Sequence, residues 1–215
     1  MIIADKYILI HLSKQGGTSI EEYLRVVDPS ARRWGPKHNW RGSNGSALPT
    51  IGVVRNPLDW YISVYTQYKE VNHPIYEAVG GTFEEFTDRL LEMPESCVKT
   101  LQNMDWEVTY PRIHSGLSSK SFEGYDSRVG YYTWLWKKAH LTSKAGDLLI
   151  LNLDKVQDRL PDMLRSLGVL SEGVEVIVPH INKKTCKVVH EYSEELYDKI
   201  MEKESYMINK YRSSI

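Results

Sequence analysis

The sequence predicts an α/β domain of three layers, with a central, mostly parallel sheet flanked by helices. Short β-branched and apolar runs alternate along the chain with helical stretches that carry their own start and stop signals. The two sharpest polar motifs directly follow two of those runs. That is where open parallel sheets place their ligands, at the carboxyl ends of the strands. With 215 residues the chain is read as one domain, 1–215.

Residues 6–12 are aromatic and β-branched enough for a buried strand. A glycine turn at Gln15-Gly16-Gly17 leads to a helix capped by Thr18 or Ser19 and running to about 26, with Glu21 and Glu22 in its first turn. Residues 28–49, rich in Pro, Gly, Ser and Asn, read as one long loop. A second strand is expected over 50–54. After it, Asn56 caps and Pro57 opens a helix reaching about 69. Thr82-x-x-Glu85 is a capping box for a helix over 82–93. Residues 94–126 carry no clean pattern. Further on come an aromatic-rich helix over 127–140, a strand over 147–153 buried on both faces, and an amphipathic helix over 155–167 stopped by Gly168. A short strand over 174–178 and one charged helix over 193–211 complete the reading.

Composition excludes several classes. The 41% hydrophobic and 26% charged residues are ordinary globular usage, which excludes a disordered or fibrous chain. With 27 basic and 28 acidic residues the net charge is −1, so a nucleic-acid partner is not expected. No apolar run approaches the roughly 20 residues of a membrane span, and 7–10 is too short for a signal-peptide core. Two cysteines, Cys97 and Cys186, make no disulfide framework. A soluble, cytoplasmic protein is expected.

The first motif is His11-Leu12-Ser13-Lys14-Gln15-Gly16-Gly17-Thr18-Ser19. Glycines let the backbone turn its N–H groups toward an anion, and the following helix adds the positive end of its dipole. Lys14, Thr18 and Ser19 converge on the same point. A lysine ahead of the glycines is not the Walker A order, in which it follows them. The second motif is Val53-Val54-Arg55-Asn56-Pro57-Leu58-Asp59-Trp60-Tyr61-Ile62-Ser63-Val64-Tyr65. Arg55 offers a bidentate fork to a phosphate and Ser63 a further hydroxyl. By themselves these residues also allow Arg55 to pair with Asp59 and Ser63 merely to pack.

Together the two motifs resemble those of the sulfotransferases that use 3′-phosphoadenosine 5′-phosphosulfate (PAPS), in the carbohydrate-type branch. The first is similar to that family's 5′-phosphosulfate loop, with Ser13 in place of a proline and Gln15 in place of a threonine. The second is similar to its 3′-phosphate motif at every fixed position. Leu151-Asn152-Leu153-Asp154 and His180-Ile181-Asn182-Lys183 resemble later elements of the family. The resemblance implies a P-loop-like fold, PAPS as sulfuryl donor, 3′-phosphoadenosine 5′-phosphate (PAP) as product, and no metal. It implies that Lys14 stabilises the leaving oxygen, that Gln15, Gly16, Gly17, Thr18 and Ser19 hold the 5′-phosphosulfate, and that Arg55 and Ser63 hold the 3′-phosphate. Asn182 and Lys183 would close over the donor. His38, in the loop between the motifs, is the expected general base, with Glu21 and Glu22 as alternatives. The implied partner is a small-molecule or carbohydrate hydroxyl acceptor. A nucleotide-dependent kinase and a nucleotide-binding module without chemistry are the competing readings.

Overall fold

Alternation of side chains along three short strands organises the protein into layers. In this computed structural model residues 1–34, 47–104, 106, 122–140, 147–174, 177–179 and 190–215 are described. The strands are Ile2–Ile3 (β1), Ile8–Ile10 (β2), Arg32–Arg33 (β3), Thr50–Val54 (β4) and Leu148–Asn152 (β5). They form one sheet in the order β3-β1-β2-β4-β5. β2 pairs with β4, and β4 with β5, in parallel, with Ile8 opposite Thr50 and Thr50 opposite Leu148. β1 pairs antiparallel with both β2 and β3. The sheet is therefore mixed, with a parallel core of three strands and an antiparallel margin, rather than mostly parallel.

The helices are Gly17–Val27 (α1), Pro57–Glu70 (α2), Pro74–Val79 (α3), Phe83–Leu91 (α4), Glu95–Asn103 (α5), Tyr131–His140 (α6), Val156–Ser166 (α7), Glu194–Lys203 (α8) and Ser205–Ser213 (α9). Successive strand residues point to opposite faces. Leu9, Ile51 and Val53 pack with Ile20 and Leu24 of α1 and Leu160 and Leu164 of α7. Ile8, Ile10 and Val54 pack on the other side with the aromatic faces of α2 and α6 and with α4, α8 and α9.

Several local expectations hold. Asn56 accepts the Leu58 amide at 3.0 Å and Pro57 is the first residue of α2. Thr82 and Glu85 exchange both bonds of the capping box. Gly168, at φ +65°, follows α7.

Others are corrected. The stretch 28–49 is not all loop, because Arg32 and Arg33 add a strand beside β1. α1 starts at Gly17 behind a left-handed Gly16, so Thr18 and Ser19 are helical rather than caps, and its first turn holds no acidic residue. β5 is only partly buried over 148–150, because the one strand it pairs with among the described residues is β4. The expected strand over 174–178 includes undescribed residues 175 and 176, and 174, 177 and 178 lie outside regular structure. The C-terminal helix is broken at Glu204, whose carboxylate has a buried task elsewhere.

His140 closes α6 against the sheet. It stacks on Trp136 with ring centroids 4.2 Å apart, and its Nδ1 lies 2.9 Å from the Trp136 carbonyl. Burial pushes its pKa down to about 4, from the ordinary 6.5. The native state thus stays neutral at pH values where the unfolded chain already takes the proton. This contribution to stability is complete above pH 6.5 and is lost as the pH falls toward 4, by about 3 kcal/mol in total. Denaturant titrations from pH 7 to 4 should show that loss in the wild type and a shallower one in His140→Gln. Equal slopes would assign the loss to other groups.

Candidate functional site

Parallel pairing of β2 with β4 brings the two polar motifs to the same edge of the sheet. The chain leaves β2 at Ile10 and turns through 11–16 into α1. It leaves β4 at Val54 and turns through Arg55 and Asn56 into α2.

The turn after β2 has two left-handed residues, Lys14 at φ +67° and Gly16 at φ +70°. For Gly16 that conformation is free of penalty. For Lys14 it costs of order 1–2 kcal/mol, a strain that persists only where surrounding contacts enforce it. Glycine is also required by space. A Cβ on Gly16 would lie 2.4 Å from Leu153 Cδ1, and one on Gly17 would lie 2.0 Å from the His11 ring. His11 is therefore buried packing beneath the start of α1.

Four side chains hold the strained turn. The Gln15 Oε1 accepts the Leu12 amide at 2.7 Å, closing the turn on itself. The Gln15 Nε2 donates to the Tyr132 hydroxyl at 2.7 Å. Trp60 Nε1 donates to the Ser13 carbonyl at 2.9 Å. Arg55 Nη1 donates to the Lys14 carbonyl at 3.0 Å, a direct link between the motifs. Among the described residues no ion pair joins Arg55 to Asp59, so the alternative pairing open in the sequence is not the one adopted.

The structure thus brings Lys14, Gln15, Gly16 and Arg55 together, with Gly17, Thr18 and Ser19 following as the first turn of α1. Lys14, Thr18, Ser19 and Arg55 are partly buried, at the rim. Ser63 is partly buried on α2, three residues beyond Trp60. Gln15 is fully buried, and its amide is spent inside the protein. Glu21 lies in the second turn of α1, where its carboxylate receives Arg33 Nε and Nη2, both at 2.8 Å, and Arg25. It ties α1 to β3. Glu22 pairs with Arg25 at 3.7 Å. His38, Asn182 and Lys183 lie outside the described residues. The chain on either side of 180–189 is pinned, with Val178 exchanging two bonds with Gln157 and the Tyr192 hydroxyl donating to Leu58 O at 2.6 Å.

This edge concentrates positive charge: the N-terminus of an 11-residue helix, a lysine and an arginine. It suits a ligand with two anionic groups, one at each motif. Among the described residues there is no cluster of three or more His, Cys, Asp or Glu side chains able to hold a metal. No described helix is long and apolar enough to cross a membrane.

The sequence assigned neither Trp60 nor Tyr132 a part in holding the turn. Their rings stack at 4.3 Å and 7°, but their polar tips reach the motif loops. Nothing in the run Tyr131-Tyr132-Thr133-Trp134-Leu135-Trp136 distinguishes the one tyrosine that does so. No family model matches the chain, and neither does any curated protein or solved structure.

Proposed function

We propose that the protein is a PAPS-dependent sulfotransferase on a P-loop-like three-layer scaffold, acting on an acceptor hydroxyl, that of a carbohydrate by motif likeness. The observation that carries this reading is the Arg55–Lys14 hydrogen bond. It unites, at one sheet edge, the two motifs that the donor's 5′ and 3′ ends would require.

The residues fit such a donor. The α1 N-terminus behind the left-handed turn and Lys14 suit the 5′ end, and Arg55 with Ser63 suits a 3′-phosphate. When bound, PAPS supplies the sulfuryl group: its sulfur gains a bond to the acceptor oxygen and loses the bond to the 5′-phosphate oxygen. Lys14 then counters charge on the departing oxygen, beside the N-terminus of α1. Arg55 orients the far end, holding the donor in line. His38 takes the acceptor proton, and Asn182 and Lys183 add contacts to the donor. The Glu21 carboxylate is engaged by two arginines.

Calorimetric titration without added metal tests this reading. PAP should bind at least about tenfold more tightly than adenosine 5′-monophosphate, reflecting the second phosphate site. Equal or absent binding of the two would refute it. The inward-turned Gln15 favours a second reading, a binding module that keeps the pocket without chemistry. PAP binding with no turnover against sugar and phenol acceptors would select it.

A further inference from the structure

We infer that the Tyr132 hydroxyl is a positioning group that holds the two motifs at a fixed separation, so that they can engage both ends of one ligand. This inference rests on the sulfotransferase reading of the same site.

The hydroxyl is a junction. It accepts the Gln15 side-chain amide at 2.7 Å and the Arg55 backbone amide at 3.1 Å, and it faces the Arg55 carbonyl at 3.5 Å. A phenol has one proton and two lone pairs, so these three partners use its whole capacity. One partner belongs to the turn after β2, and two belong to the end of β4. Tyr132 is itself immobilised. Its ring is buried against Trp60, and its backbone amide donates to Glu204 Oε1 at 3.0 Å. The hydroxyl is therefore a fixed point that does not yield to either loop. It is fully buried, so it acts through Gln15 and Arg55 and not on a ligand directly.

A ligand anchored by a single phosphate needs only one motif in place. A ligand with phosphates at both ends needs both motifs at the right distance. Removing the hydroxyl should thus penalise the two-ended ligand selectively, which general loosening of the protein would not do.

The test is calorimetry on Tyr132→Phe with three probes: PAP, adenosine 5′-monophosphate and adenosine 3′-monophosphate. We expect PAP affinity to fall about tenfold, the scale of one lost hydrogen bond, with each monophosphate changing less than about twofold. Unchanged PAP affinity overturns the inference. So does an equal loss for one monophosphate, which would make the hydroxyl a support of one motif alone. If the wild type shows no preference for PAP, the sulfotransferase reading fails and the inference fails with it. A wild-type preference that survives in the variant fails the inference alone. Should Tyr132→Phe not fold in plain buffer, the same three titrations in sucrose, which favours the compact state, keep the comparison, and the same selective loss is expected.

Discussion

Glu204→Gln should lose about 3 kcal/mol of stability, although it changes one atom of a side chain on the opposite side of the sequence from its partners. The Glu204 carboxylate is fully buried. Its Oε1 accepts the Tyr61 hydroxyl at 2.6 Å and the Tyr132 amide at 3.0 Å. Its Oε2 accepts the Thr133 amide at 2.8 Å and the Thr133 hydroxyl at 2.5 Å. Those two amides belong to the first turn of α6, so Glu204 caps that helix from the break between α8 and α9. Burial pushes its pKa up, and the four donors oppose that shift. Each oxygen holds one backbone N–H, so a glutamine in either orientation sets its own NH₂ against a donor. Hydroxyls could rotate away, but backbone amides cannot.

For a chain of this size that loss lowers the melting temperature by roughly 6–12 °C. Thermal unfolding of Glu204→Gln beside Glu202→Gln, which removes an exposed carboxylate two residues away, separates the cap from a simple change of charge. A shift of under about 2 °C in both would mean that the buried carboxylate contributes little. Because the cap orients Tyr132, the position also bears on the site.

On the proposed sulfotransferase reading, Lys14→Ala should slow sulfuryl transfer by about 10²–10³-fold while weakening PAP binding much less, because there its charge would matter most as the leaving oxygen develops charge. Arg55→Ala should do the reverse in emphasis, weakening PAP by about tenfold to a hundredfold through the lost fork. It also removes the bond to the Lys14 carbonyl, so some loss of rate should accompany it. The strain at Lys14 sharpens the distinction. Alanine keeps the left-handed penalty, so a lost charge is read without a relaxed backbone. The measurement is PAP release from PAPS with sugar and phenol acceptors, alongside PAP titrations of each variant. Wild-type rates in both variants would sink the assignment of the site.

Much of the fold was written locally. The capping box at Thr82 and Glu85, the Asn56-Pro57 helix start and the Gly168 stop depend on neighbours within a turn, and all three formed as their residues dictate. The strands at 50–54 and around 148–152 were legible from apolar runs for the same reason. The antiparallel margin was not. β1 and β3 have two residues each, too few to show a period, and they are strands only because they pair with each other and with β2. The break at Glu204 was equally hidden. A glutamate suits a helix interior, and only the distant amides of α6 make it worth interrupting one.

The same division runs through the site. By itself the sequence determined which residues are candidates for binding an anion, because lysine, glycines and hydroxyls in one turn, and arginine before an Asn-Pro helix start, are short-range patterns. Only the tertiary structure decided that the two patterns meet, that Gln15 turns inward, and that Tyr132 and Trp60 brace the turn. Those facts depend on strand order and on contacts spanning from 41 to 117 residues, where no local periodicity carries a signal.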